Sequence, residues 1–360
     1  MGEPLLRVTD VGLYCEQGDF HVDPWKPVDR AVVTHAHSDH ACWGCKRYLT
    51  STEGAGVLRV RVGTEARIDA VGPGEVVTLD GVAISLHPAG HILGSSQVRL
   101  ESRGEVWVVS GDYKVEPDPT CSPFEPVRCH TFISESTFGL PIYRWVPQSI
   151  IFDEINAWWR ANREAGRTSL LFGYALGKAQ RLLAGVDRSI GPIYTHGAVE
   201  PLNRAYRAGG IDLPETTYVG SLPKETKWSD ALIVSPPSAN GTPWTRKFGA
   251  SSSGFASGWM RIRGPRRRRS VDRGFVLSDH ADWPGLLDSI RETGAERVLL
   301  THGYTAVLSR WLRERGLDAA ILETRYEGER DDATATEGVE GSGAEATAGL
   351  EPAGDEGDAS

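Results

Sequence analysis

Within six residues the chain offers four side chains of the kind that bind divalent metal ions, His35, His37, Asp39 and His40, directly after the apolar run Ala31 to Thr34. That run reads as a short buried strand, so the four groups fall in the loop that leaves it. Imidazoles at i and i+2 in such a loop can close on one ion, while the carboxylate at 39 and the imidazole at 40 are offset enough to reach a second. Neutral imidazole and carboxylate oxygen suit zinc, with manganese or iron as the other occupants. None of the four is a thiolate of the kind that builds closed structural sites.

Further ligand types stand in equivalent places downstream. Val82 to Leu86 leads into His87-Pro-Ala-Gly-His91, Val106 to Ser110 into Gly111-Asp112, and Arg297 to Thr301 into His302-Gly303. Strands of one sheet that end on a common rim bring such residues together, the usual way an α/β scaffold assembles a site from distant segments.

In this order the motifs resemble the metallo-β-lactamase superfamily. The resemblance implies that His35, His37 and His91 hold a first metal and Asp39, His40 and His302 a second, with Asp112 bridging them and Asp23 orienting the ligands from behind. Asp23 also has a plain reading as the cap of the turn at Pro24. Phe132-Ile-Ser-Glu135-Ser-Thr-Phe-Gly139, Phe275-Val-Leu-Ser-Asp279-His280-Ala-Asp282 and Thr301-His302-Gly303 resemble the additional motifs of the β-CASP branch, which cuts nucleic acids. Over residues 5–326 the connecting segments, among them Gly173-Tyr-Ala-Leu-Gly-Lys-Ala-Gln-Arg181 and Thr195-His-Gly-Ala-Val-Glu-Pro201, resemble the bacterial ligase-associated DNA exonucleases. The word exonuclease comes from that family; the residues themselves point to phosphodiester hydrolysis.

Such hydrolysis leaves charge on both the entering and the departing oxygen, and paired cations address both while activating water. The expected catalytic groups are therefore Asp39 and Asp112 through the metals and His280 as the acid that protonates the leaving oxygen, and the resemblance implies Glu135 behind it. The resulting expectation is a DNA exonuclease with two divalent ions, zinc or manganese, working in DNA repair or end processing beside a ligase or helicase. An RNase or RNA 3′-end processing nuclease is the alternative, and a silent nucleic-acid-binding scaffold is the second. A scaffold would have little reason to keep all seven ligands. A small-molecule hydrolase would have little use for Glu135, His280 or the arginines described next.

Seven arginines crowd 13 positions, at 261, 263, 266, 267, 268, 269 and 273. Guanidinium forks bind phosphate oxygens, so Arg261, Arg263, Arg266, Arg267, Arg268, Arg269 and Arg273 are expected along a nucleic-acid track. The bland reading is a solvated turn. Lys178 and Ser257 are weaker phosphate candidates, carried only by their family-like segments. Trp244, Phe248, Phe255 and Trp259 are candidates for stacking bases, although core packing is the commoner fate of such aromatics.

The elements that must position these groups follow from pattern. Residues 5–139 read as short strands between Gly, Pro and Asp turns. From Ser149 helices and strands alternate: a helix over 150–159, strand 169–172, helix 176–183, and strands 193–195 and 232–235. The expected fold class is α/β (α+β), a metallo-β-lactamase αββα sandwich with an inserted β-CASP-like α/β domain. The first part spans 1–139, the insertion 140–270, the completing part 271–326, and an acidic tail 327–360.

The net charge of −9 is a property of that tail, which carries 11 acidic residues against one arginine and leaves residues 1–326 at +1. Lacking aromatic residues, the tail is expected to be disordered. The absence of a long apolar segment or of signal-peptide architecture leads to the expectation of a cytoplasmic protein without membrane association. Five cysteines without framework spacing argue against disulfides, and Cys42-Trp-Gly-Cys45 reads as a reduced pair more readily than as a zinc half-site.

Overall fold

In the computed structural model, residues 4–262 and 270–326 are described, and all belong to one compact unit. Its first sheet is laid down almost entirely by chain order. Strands β1 (Arg7–Val8), β2 (Leu13–Cys15), β3 (Phe20–Val22), β4 (Arg30–Val32), β5 (Arg47–Ser51) and β6 (Ile68–Val71) lie side by side in sequence. Pairing is antiparallel up to β3 and parallel from there on.

The second sheet begins with the meander β7 (Val76–Leu79), β8 (Val82–Pro88), β9 (Ser96–Ser102) and β10 (Glu105–Val109), and continues through β11 (Thr131–Ser136). It is completed by two strands from the far end of the chain, β18 (Arg297–Gly303) and β19 (Asp318–Ile321), in the order β19-β18-β11-β10-β9-β8-β7. Alternation explains the layering. Val82, Ile84, Leu86, Trp107, Val109 and Ile133 face Leu13, Phe20, Val22 and Val32 of the first sheet in one apolar core. The opposite-facing Val108, Phe132, Val298 and Leu300 pack under helices α5 (Trp283–Thr293) and α6 (Thr305–Arg313). On the outer side of the first sheet, α1 (Ala55–Val62) is buried through Val57, Leu58 and Val62. The architecture is thus an αββα sandwich.

A third, wholly parallel sheet lies between β11 and α5 in sequence: β12 (Thr168–Phe172), β13 (Ile193–Thr195), β14 (Thr217–Tyr218), β15 (Leu232–Ser235), β16 (Ser251–Ala256) and β17 (Arg273–Phe275), in the order β14-β13-β15-β12-β16-β17. Helices α2 (Gln148–Glu164), α3 (Lys178–Gly185) and α4 (Glu200–Ala208) accompany it. The predicted helices and strands of this region all form. Sequence pattern missed α4, β14 and β16. The last begins Ser-Ser-Ser-Gly, with no apolar periodicity to mark it, yet pairs with both β12 and β17. Gly254 is required there, because a Cβ would stand 2.9 Å from the ring of Phe275. All five cysteines are free thiols. Among the described residues, no helix is long and apolar enough to cross a membrane.

Candidate metal centre and catalytic cleft

The loop after β4 is held by one buried carboxylate. Asp23 accepts hydrogen bonds from the Thr34 amide at 2.7 Å, the Thr34 hydroxyl at 2.5 Å and His40 Nδ1 at 2.7 Å. Because the Thr34 hydroxyl donates its one hydrogen bond to Asp23, its oxygen accepts from His35 Nδ1 at 3.1 Å, which leaves His35 Nε2 without a hydrogen. His37 donates from Nε2 to the Leu176 carbonyl at 3.2 Å, and His91 from Nδ1 to the Asp279 carbonyl at 2.7 Å. The remaining ring nitrogens face one another: His35 Nε2 and His91 Nε2 each lie 3.1 Å from His37 Nδ1. Three inward lone pairs repel unless a cation sits among them. Their spacing is close to the ~3.3 Å that tetrahedral ligands subtend around a zinc ion.

Asp112, at the exit of β10, divides its two oxygens. Oδ2 lies 3.6 Å from His35 Nε2 and 3.7 Å from His91 Nε2, while Oδ1 lies 3.1 Å from His302 Nε2 and 3.7 Å from His40 Nε2. Asp39 Oδ2 stands 3.6 Å from that same His40 nitrogen. His302 Nδ1 donates to Thr301 Oγ1 at 3.2 Å, whose hydroxyl points to the Ser134 carbonyl. His40 Nε2, Asp112 Oδ1 and His302 Nε2 are buried without a hydrogen-bond partner, a costly arrangement that a bound cation would satisfy. Burial and the neighbouring imidazoles push His35 and His91 well below the ordinary histidine range. Burial also pushes His40 down, but Asp39, Asp112 and Asp23 outweigh it and lift that ring to about 10, so this corner favours positive charge. The residues present fit a divalent metal: His35, His37, His91 and Asp112 bring donor atoms within 4.8 Å of one another, and so do Asp112, Glu135 and His280.

Glu135 is on β11, and the parallel register Val109↔Ile133 and Ser134↔Leu300 sets the exits of β10, β11 and β18 abreast. Its carboxylate accepts from His280 Nδ1 at 2.9 and 3.1 Å and from the Tyr113 amide at 2.7 Å. His280 Nδ1 also comes within 4.0 Å of Asp112 Oδ2. A cavity of about 390 Å³ opens here, lined by His37, Asp39, Asp112, Asp279 and His280 on one side and by Tyr174, Ala198 and Leu202 on the other.

Comparison with known proteins accords with this arrangement. No family model matches the chain. A protein of Opitutus terrae named "Probable DNA ligase" is 32% identical over 313 residues, 86% of this chain and 30% of that protein. Endoribonuclease ysh-1 of Neurospora crassa is 28% identical over 192 residues, 50% of this chain and 22% of that one. RNase aCSPSF2 of Saccharolobus solfataricus is 28% identical over 120 residues, 32% and 24% of the two. The chain spans less than a third of the length of each. A solved structure of a protein of unknown function from Enterococcus faecalis shares the fold, with a TM-score of 0.55 at 13% identity over 83% of this chain and 80% of that one. The likeness to these proteins is consistent with the metallo-β-lactamase/β-CASP superfamily that the chain's motifs resemble.

Buried ion pairs join the third sheet to the rim that carries these residues. Lys178 Nζ lies 2.9 Å from Asp279 Oδ2 and donates to the Leu277 carbonyl at 2.8 Å. Arg181 Nη1 lies 3.0 Å from Asp279 Oδ1 and 2.7 Å from the Ser278 carbonyl, and its Nη2 pairs with Asp118 and reaches the His91 carbonyl at 3.4 Å. Lys178 and Ser257, named above as phosphate candidates, are both fully buried, and the ammonium of Lys178 is committed to this network. Arg261 is exposed, whereas Arg273 is half-buried against the Phe275 ring and 3.7 Å from Glu154. Arg263, Arg266, Arg267, Arg268 and Arg269 lie outside the described residues, as does the tail from 327. Of the four stacking candidates, Phe248, Phe255 and Trp259 are core residues, and Trp244 is partly exposed.

Sequence reasoning missed Arg181, Asp118, Thr34, Thr301 and Tyr326. The two threonines had a visible signal, since Thr-His occurs at 34–35 and again at 301–302, each time with the hydroxyl fixing the ring that follows. Tyr326, the last described residue, stacks on His40 with ring centroids 4.5 Å apart and planes 13° from parallel.

Proposed function

We propose that this chain is a two-metal phosphodiesterase that shortens DNA from an end. His35, His37 and His91 hold one ion, Asp39, His40 and His302 the other, and Asp112 bridges them. Held there, divalent ions, zinc or manganese, supply electrophilic stabilisation of the phosphate and a lowered pKa for water. The chain's own groups do the rest. Asp23, Thr34, Thr301 and the carbonyls of Leu176 and Asp279 fix the tautomers so that unprotonated nitrogens point inward. His280, oriented by Glu135, protonates the departing oxygen.

The observation that carries the reading is His280 Nδ1 at 2.9 Å from Glu135 and 4.0 Å from Asp112. An imidazole held beside Asp112 supports a proton-transfer role, since general metallohydrolase chemistry would not require one there. DNA is preferred to RNA because the relative that covers most of this chain is named as a DNA ligase. The RNase names among the others keep an RNA-processing nuclease as the second reading. On the first reading the division is 1–139 and 271–326 for the catalytic domain, 140–270 for the insertion and 327–360 for an acidic tail. The arginines at 261–273 contact the strand, and a ligase or helicase shares the pathway in the cytoplasm.

End-labelled single- and double-stranded DNA and matched RNA, incubated with zinc- or manganese-loaded protein and with Asp112→Ala, test it. Stepwise products from DNA that disappear in the variant are expected. Cleavage of RNA alone would replace the substrate, and no cleavage of any would end the nuclease reading.

A further inference from the structure

Loop 196–198 leads from the catalytic cavity to a different surface. Ala198 lines the cavity, and two residues earlier His196 packs against Trp244, ring centroids 4.9 Å apart. Lys247 places its ammonium 5.0 Å from the centre of the Trp244 ring and, with Lys227, borders a second, shallower depression of about 270 Å³. Tyr218, 44% exposed, flanks the loop: its ring would stand 3.1 Å from a Cβ at Gly197. Between residues 224 and 247 the surface carries Lys224, Lys227, Arg246 and Lys247 against Glu225 and Asp230. Aromatic rings and cations therefore follow one another from the cavity mouth across the third sheet.

Core packing accounts for only part of this composition, since Trp244 packs on the core residue Phe248 with ring centroids 4.9 Å apart yet keeps part of its surface exposed. Phe248, the neighbour of Lys247, is 3% exposed and serves the core, whereas Tyr218 and Lys247 face solvent. Rings interleaved with ammonium groups suit a single nucleic-acid strand, whose bases stack while its phosphates are neutralised. A duplex hides its base faces and would gain only the charge.

We propose that Tyr218, His196, Trp244 and Lys247 form a stacking track for single-stranded DNA, one to a few nucleotides from the phosphate held in the cavity. This rests on the nuclease reading above. The track holds the undigested portion of the strand, so that substrate must extend beyond the cavity to bind well.

Fluorescence anisotropy with a labelled oligothymidylate, run in parallel with a blunt duplex and an oligouridylate, tests the track on metal-loaded protein. Trp244→Ala is expected to weaken the oligothymidylate by roughly five- to 150-fold, the range of one lost base stack, and Trp244→Phe to restore most of it. Tyr218→Ser, at an exposed position, should weaken binding in the same direction and covers the case in which Trp244→Ala fails to fold. Lys247→Gln should lower the salt dependence by about one phosphate contact. Wild-type cleavage of the same strand with unchanged affinity in Trp244→Ala and Tyr218→Ser would overturn the track and leave the nuclease reading standing. Tighter binding of the duplex or of oligouridylate than of oligothymidylate would overturn it as well. A wild type that neither binds nor cuts any strand would remove both.

Discussion

Asp23 holds three groups at once, the amide and hydroxyl of Thr34 and the ring of His40. Truncation frees two rings to rotate, since His35 is fixed through that same hydroxyl. Asp23→Ala should therefore lower metal affinity by about 10- to 100-fold, measured by competition with a chromophoric chelator. Unchanged affinity would reduce Asp23 to the cap of the turn at Pro24. His280 stands beside Asp112, and a positioned acid is worth about 10²–10⁴ in rate. His280→Ala should lose kcat by that order while retaining its metal, and a DNA substrate with a better leaving group should recover part of the loss. A variant that lost metal and rate together would make His280 a ligand instead. All seven ligand candidates were legible in the sequence, because metal chemistry restricts residue type severely and each stands next to an apolar run. Their hydrogen-bond partners were less so: the threonines show only through the repeated Thr-His pair, and a backbone carbonyl carries no signature of its own.

Helix α3 reaches the ligand rim through charge buried on every side. Arg181 is 2% exposed, faces Asp118 and Asp279, and donates to the backbone of the strand exit that orients His91. Removing one member of such a group strands the rest, typically at about 3–5 kcal/mol. Arg181→Met should lower stability by that amount in denaturant unfolding and weaken metal binding through His91. A milder loss of stability with unaltered metal content would confine Arg181 to holding the third sheet in place. None of this could be read from sequence, since positions 118, 181 and 279 are brought together only by the tertiary fold. The strands themselves could be, because β4, β8, β10 and β18 are apolar runs ending in ligands. β16 stayed hidden because a Ser- and Gly-rich strand succeeds only where flanking strands supply the apolar cover that it lacks.

Across the whole molecule, the proposed ligand set draws on both sheets of the sandwich, and its member on β18, His302, comes 190 residues after Asp112. Ions at such a junction stabilise the native chain alone, by about 3 kcal/mol at a hundredfold excess over Kd. Chelation should lower Tm by several degrees, reversibly on zinc return. An unchanged Tm, with metal loss verified by elemental analysis, would mean that the rim is preformed and the ions contribute no net stability. The charge difference between nearly neutral body and acidic tail was legible from composition, whereas of the proposed stacking track only Trp244 was among the sequence candidates, because exposure, which separates a stacking ring from a core one, is not visible in sequence.

Tyr326 gives this layout a natural boundary. Its ring lies flat on His40 and its hydroxyl donates to the Val22 carbonyl at 3.3 Å, beside Asp23. A truncation stopping a few residues earlier would keep every ligand and every strand, yet uncover the imidazole around which three carboxylates gather. A fragment that is to keep His40 covered therefore has to include position 326.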